Sequence, residues 1–196
     1  MHIDPVLLKS KGAMQKHYGK NDVVFYENEA AKFYYQIVEG TVKMFNDNNE
    51  GKQFLQGYFA AGQSFGEPPL LINENYPSTA IALADSMILR IPKEDFLELL
   101  RKYPDIKSEL LQVFAERLYN KSVTAAEIVN HTPEARILSF LNSYKKKNAD
   151  HAKVVIPFTR QIIADFTGLR VETVIRTLCR MKEMKKVDII NRKVIY

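Results

Sequence analysis

Cysteine is almost missing from this sequence: Cys179 is the only one in 196 residues. One thiol cannot close an internal disulfide, which fits a reducing compartment. Nor can it alone hold an iron–sulfur cluster, which takes several thiolates. Cys179 is expected as a small packing residue beside Leu178, with a redox-sensing thiol as the alternative. Histidine is sparse as well. His2, His17, His131 and His151 are scattered without metal-ligand spacing, so neither a metal site nor a cofactor is expected. No apolar run approaches the roughly 18 residues that span a membrane. The opening Met-His-Ile-Asp-Pro lacks a basic-then-apolar leader, and the expected location is the cytoplasm, with no membrane partner. Internal repeats and low-complexity segments are absent. So are paired carboxylates beside a nucleophile, a Cys–His pair and a phosphate-loop lysine, and an enzyme is not expected.

What is present is a globular chain with 46% hydrophobic residues, long enough for one large or two small domains. Its first hundred residues are strand-like. Val23–Tyr26, Phe33–Val38, Thr41–Phe45, Phe54–Phe59 and Ala80–Leu83 are rich in β-branched and aromatic residues. Turn formers separate them at Asn21-Asp22, Glu39-Gly40, 46–51 and Ala61-Gly62. Many short strands at this spacing predict a barrel or a roll. Pro92 to Leu100 predicts a short helix with proline at an early, tolerated position.

A long helix is expected from about Asp105 to Asn130. Leu111, Phe114, Leu118, Ala125 and Ile128 follow a 3–4 spacing that Lys121 interrupts. Such a stripe seeks a two-fold partner helix or the chain's own strands. His131-Thr132-Pro133-Glu134 reads as a break and restart, with Thr132 as cap and Pro133 at the first helical position. The next helix, to about Lys147, offers Ile137, Leu138, Phe140 and Leu141 to a small core. Lys145, Lys146 and Lys147 fit a solvated helix end. Val154–Pro157 reads as a strand, and 187–196 as a hairpin turning at Asn191-Arg192-Lys193.

Residues 159–184 carry the most functional information. Thr159 can cap a short helix bearing Ile162, Ile163 and Phe166. Ala164 allows a close helix crossing, and Gly168 supplies the turn. Val171, Val174, Leu178 and Met181 then recur at helical spacing as a buried stripe. Arg170, Glu172, Thr173, Arg176, Thr177 and Arg180 project elsewhere. A helix, a glycine turn and a second helix of this kind can lie in a DNA major groove. There arginine grips guanine O6 and N7, and glutamate accepts from cytosine N4. An ordinary helical hairpin with a solvated charged face has the same spacing. Charge favours the first reading. Residues 132–196 hold 14 Lys and Arg against 6 Asp and Glu, net +8, while residues 1–131 hold 14 against 17, net −3. A basic segment attracts phosphate, although RNA or an acidic protein would be drawn to it too. A helix pair flanked by strands predicts a winged helix-turn-helix.

The order of elements resembles the Crp/Fnr superfamily of bacterial transcription regulators across nearly the whole chain. Tyr34-Tyr35-Gln36-Ile37-Val38-Glu39-Gly40-Thr41-Val42-Lys43 is similar to the family's early strand pair and glycine turn. Thr159-Arg160-Gln161, followed by Gly168-Leu169-Arg170-Val171-Glu172-Thr173-Val174-Ile175-Arg176, is similar to its DNA-reading signature. The resemblance implies an α+β chain. Residues 1–103 would form a cyclic-nucleotide-binding-like β-roll, 104–131 a dimerisation helix and hinge, and 132–196 a winged helix-turn-helix. It implies a homodimeric, sequence-specific regulator that binds double-stranded DNA, with RNA polymerase as a further partner and a small-molecule effector of unknown identity. An effector-binding module acting through protein contacts is the alternative. Glu172 and Arg176 match the family's base readers, and Arg160, Gln161 and Thr173 match its phosphate contacts. Arg170 joins them as a DNA-facing candidate. The catabolite-activator branch has arginine where this chain has Val171, and the oxygen-sensor branch has serine where it has Ile175. The operator is therefore expected to differ from both.

Ser64-Phe65-Gly66-Glu67 resembles the family's phosphate-binding cassette, whose glutamate holds a ribose hydroxyl. The family follows it with an arginine that neutralises the cyclic phosphate. Here Ser78 stands in that place, followed by Thr79 and Ala80, and a hydroxyl cannot supply a charged fork. Pro68 and Pro69 stiffen the segment and remove two N–H donors. Tight cyclic AMP binding is not expected, and Glu67 is expected to cap local N–H groups. Gly66 would let the backbone approach a ligand, and Lys121 and Ser122 match positions that reach the ligand base in some members. The effector-pocket candidates are thus Gly66, Glu67, Ser78, Thr79, Lys121 and Ser122. Oxygen sensing is not expected, because that branch of the family needs several N-terminal cysteines and none stands there in this sequence, and no residue is persuasive as a haem ligand.

Overall fold

A computed structural model describes residues 2–47, 53–130, 132–148 and 153–196, with the backbone alone for 124–130 and 146–148. The expected turn at 48–51, His131, His151 and the side chains of Ala125, Ile128, Lys146 and Lys147 lie outside the described residues. The chain divides into two compact units, Met1–Arg117 and Leu118–Tyr196.

The first unit is a β-roll of two four-stranded antiparallel sheets. One has the order β1 (Met14–Tyr18), β8 (Ser86–Pro92), β3 (Phe33–Glu39), β6 (Ser64–Phe65). The other has the order β2 (Val23–Phe25), β7 (Thr79–Ala82), β4 (Thr41–Asp47), β5 (Gln53–Ala60). Successive side chains of a strand point to opposite faces, and the central strands β8 and β3 of the first sheet are buried on both. Tyr35, Ile37 and Ile88 face inward against Val42, Ala80 and Ala82. Tyr34, Leu89 and Ile91 face outward. There they meet α1 (Pro5–Ser10) through Leu8, α3 (Lys93–Lys102) through Phe96 and Leu99, and α4 (Pro104–Asn130) through Leu110. Tyr34 stacks on Phe96 with ring centroids 4.2 Å apart. Gln36, also outward and fully buried, has both ends engaged. Its Oε1 accepts from the Ile3 N–H at 2.8 Å and the Tyr34 hydroxyl at 3.0 Å, and its Nε2 donates to the Ile3 carbonyl at 2.7 Å.

Several elements have no counterpart in the sequence pattern. Four of the five residues of β1 are exposed, so it lacks apolar alternation. The strands β6 and β8 and the helices α1 and α2 (Glu67–Ile72) were also not predicted. Pro92 is the N-cap of α3 rather than its first helical residue. Pro68 and Pro69 lie in the first turn of α2, where backbone N–H groups have no intrahelical acceptor to lose. The expected single stripe of α4 is two. Phe114 packs against the roll's outer core beside Leu110, whereas Leu111 and Leu118 are 61% and 69% exposed.

The second unit contains α5 (Pro133–Asn148), β9 (Val155–Ile156), α6 (Arg160–Thr167), α7 (Val171–Glu183), β10 (Asp188–Ile190) and β11 (Lys193–Ile195). Its strands form an antiparallel sheet of order β10-β11-β9. The core joins Ile137 and Leu141 of α5, Ile163 of α6, Val174 and Leu178 of α7, and Val194 of β11. Leu138 and Phe140 pack at its edge. Thr132 Oγ1 accepts from the Ala135 N–H at 3.3 Å, capping α5. Asn191 and Arg192 have φ of 48° and 63° and join strands whose last pair is Ile190 with Lys193. That two-residue, left-handed hairpin turn matches strand twist. This is a winged helix-turn-helix.

Candidate nucleic-acid interface and sensor pocket

Local chemistry sets the angle of the helix pair. Thr159 is extended and its Oγ1 accepts from the Ile162 N–H at 3.2 Å, which satisfies one free donor of α6. At the other end Gly168 adopts φ 65°, ψ 22°. Its N–H and that of Leu169, at 3.1 Å, both reach the Ala164 carbonyl. This left-handed cap favours glycine because a Cβ is strained there. Arg170 is extended at the N-cap of α7 and makes no side-chain cap, so its guanidinium stays exposed. Thr167 Oγ1 donates to the Ile163 carbonyl at 2.7 Å, and Arg136 Nη1 donates to the Thr167 carbonyl at 3.4 Å, tying α5 to α6.

Helix α7 is sharply two-faced. Val174, Leu178 and Met181 are buried. Glu172, Arg176, Cys179 and Arg180 are exposed, and Thr173 and Thr177 lie half-buried at the border. The Cys179 packing expectation is therefore corrected: its thiol lies on the outward face, since position 179 falls away from the stripe through Val174 and Leu178. Glu172 lies in the first turn and Arg180 in the last, each complementing the helix dipole. Arg160 opens α6, half-buried. Burial lowers its guanidinium pKa from the ordinary value, and the nearby Cys179 acts the other way. Gln161 is exposed but its Nε2 donates to Asp165 Oδ1 at 2.7 Å. The exposed Arg192 and Lys193 at the hairpin add basic groups that sequence reasoning did not single out. Their signal was a left-handed turn on non-glycine residues, which composition does not announce.

In the roll, the candidate pocket residues do not act alike. Glu67 is fully buried at the start of α2. Arg117 Nη1 reaches its Oε2 at 3.1 Å, and Arg117 Nη2 donates to the Ser64 carbonyl at 2.7 Å. The expectation that Glu67 caps local N–H groups is thus corrected to an ion pair with α4. Among the described residues, Glu67 Oε1 and Ser78 Oγ are buried without a hydrogen-bond partner. Thr79 Oγ1 accepts from the Glu27 N–H at 3.1 Å. Gly66 is left-handed with φ 77°, and a Cβ there would meet Phe25 Cε1 at 3.2 Å and Tyr76 Cε1 at 3.4 Å. Aromatic rings take the space beside it. Phe25 and Tyr76 stack 3.7 Å apart, and Phe65 packs against Phe25, Tyr35 and Phe59. Ser122, on an exposed turn with Lys121, donates to the Leu118 carbonyl at 3.0 Å. Among the described residues there is no cluster of three His, Cys, Asp or Glu that could hold a metal. None of their helices is long and apolar enough to cross a membrane.

Comparison with known proteins matches both units. Residues 15–103 match the family described as cyclic nucleotide-binding domain, and residues 135–196 the Crp-like helix-turn-helix domain. The anaerobic regulatory protein of Pasteurella multocida is 24% identical over 169 residues, 84% of this chain and 62% of that protein. The nitrogen fixation regulation protein FixK of Azorhizobium caulinodans is 24% identical over 177 residues, 88% of this chain and 70% of its own length. The chain therefore spans about two thirds of these curated relatives. The solved structure of FixK2 from Bradyrhizobium japonicum has a TM-score of 0.80 at 21% identity, covering 93% of this chain and 91% of that one. With a cyclic nucleotide-binding domain followed by a Crp-like helix-turn-helix in one fold, the chain belongs to the Crp/Fnr superfamily of transcription regulators.

Proposed function

We propose that this chain is a homodimeric, sequence-specific regulator of transcription that lays α7 in the major groove of double-stranded DNA. The carrying observation is the outward face of α7, where Glu172 and Arg176 stand exposed one turn apart on a helix anchored by Val174, Leu178 and Met181. At that spacing the carboxylate can orient the guanidinium and accept from a cytosine amine while arginine holds a guanine. Arg160, Gln161 and Thr173 are assigned to phosphates, and Arg170 to the groove edge. In functional terms residues 1–103 are the sensor roll, 104–131 the dimerisation helix and hinge, and 132–196 the DNA-binding domain. The exposed Leu111 and Leu118, seven residues apart on α4, support a two-fold helix seam. RNA polymerase is the further partner and the cytoplasm the site of action.

Selection from randomised duplex DNA tests the reading. An enriched inverted repeat, with half-site centres about one helical turn apart, is expected. Failure to enrich one, or unchanged specificity in Glu172→Ala with Arg176→Ala, overturns it.

The effector pocket of the roll is assigned to Gly66, Glu67, Ser78 and Thr79, without tight cyclic AMP binding. Glu67 is already engaged by Arg117, and the buried Ser78 brings no charge to a phosphate. Calorimetry with cyclic AMP and cyclic GMP should show no micromolar binding. Micromolar cyclic AMP would overturn the assignment.

A further inference from the structure

One residue on the reading face of α7 does not belong there by polarity. Ile175 is 46% exposed, and it is the single large apolar side chain exposed on that helix. Scattered exposed aliphatics are ordinary on a protein surface. The placement of this one is what matters. It lies three residues after Glu172 and immediately before Arg176, in the first half of the helix, flanking the charged pair. Its β-branched side chain is stiff and has no hydrogen-bonding group. It gives α7 nothing in the core, since the buried stripe runs through Val174, Leu178 and Met181.

The major groove presents donors and acceptors on every base pair, and one apolar group, the C5 methyl of thymine. An aliphatic side chain pressed on a guanine, adenine or cytosine edge would strip water from polar atoms and return no hydrogen bond. Against a thymine methyl it removes apolar surface from water on both sides. Such a residue therefore selects for one base and against the other three.

We infer that Ile175 is a specificity-determining residue that reads a thymine C5 methyl beside the base pairs held by Glu172 and Arg176. The inference rests on the proposed insertion of α7 in the major groove. The half-site should carry an invariant thymine adjoining the guanine and cytosine positions. Burial of about one methyl group corresponds to roughly a fourfold change in affinity per half-site.

The full-length chain is first used to select its operator from randomised duplex. Each thymine of the selected half-site is then replaced singly by deoxyuridine, which keeps every hydrogen bond and lacks only the methyl. One deoxyuridine position should weaken binding about fourfold, and that loss should vanish in Ile175→Ser while persisting in Ile175→Val. If no deoxyuridine substitution weakens binding, or if Ile175→Ser keeps the same penalty, the inference is overturned even though the protein reads DNA. If selection enriches no operator, the underlying reading fails at a stage where no base has yet been modified.

Discussion

Arg117 reaches the buried Glu67 carboxylate across 50 residues of sequence, at 3.1 Å, and donates with its other amino group to the Ser64 carbonyl at 2.7 Å. One guanidinium thereby joins α4 to both the edge strand β6 and the first turn of α2. Arg117 also sits over the Phe59 ring at 5.3 Å, so its planar fork is held on a second side. Lysine could not reproduce this forked contact.

Replacing Arg117 by methionine should destabilise the roll by about 3 kcal/mol, because a buried carboxylate is left without its cation. Arg117 itself remains partly exposed, so the loss should fall at the lower end of that range. Urea unfolding of the single variant and of Arg117→Met with Glu67→Gln checks this. The double variant should recover much of the loss, since it removes the stranded charge.

Gly168→Ala should cost about 1 kcal/mol or more, because φ 65° is strained for any residue with a Cβ. The stability loss would be measured by thermal unfolding. A larger effect is expected on operator binding, because the same turn sets how α7 is presented.

Arg160→Ala should weaken binding to all DNA sequences alike and reduce the salt slope by about one. Glu172→Ala and Arg176→Ala should instead lose discrimination, at about 1–3 kcal/mol for each base contact removed. Salt titration on operator and random duplexes separates the two classes.

Alkaline conditions should loosen the roll. Burial pushes the Tyr76 hydroxyl up from 10.0 to about 12 and raises Tyr35 well above its ordinary value. The folded state keeps protons that the unfolded chain releases, so their contribution is complete below about pH 10 and is lost as pH rises toward 12 and beyond. Denaturation across that range should show stability falling with pH, less steeply in Tyr76→Phe.

Acid should weaken two ties in the second unit. Glu134 is held below its ordinary value by the Lys186 hydrogen bond, and Asp188 by Lys153. Depressed carboxyls stabilise above their unfolded pKa values, and that contribution disappears as pH falls through the folded ones. Both pairs face solvent, so added salt should shrink the effect.

The helix pair was legible in the sequence because its signals are local. Thr159, Gly168 and the Val174–Leu178–Met181 stripe each act within a few residues, and the structure places all of them as the spacing predicts. The inner strands β3 and β4 were legible for the same reason. Where the decisive contact is distant, the sequence was silent. Nothing near Glu67 announces Arg117, and nothing near Gln36 announces Ile3. The strand β1 hides because its neighbour β8 supplies the pairing while its own side chains face solvent. The strand β8 hides because Arg90 and Pro92 interrupt an apolar run that is buried on both sides. Cys179 was misplaced because proximity to Leu178 in sequence means a 100° turn away from it on a helix.

The double burial of β8 has a mechanical consequence. Ile88 belongs to the inside of the roll, while Leu89 and Ile91 belong to the outer core that seats Phe96 and Leu110. Close-packed interiors resist compression and pass displacement on. The rings around Phe65 and the first turns of α4 therefore share one strand as a common wall, with nothing but the thickness of β8 between the two cores.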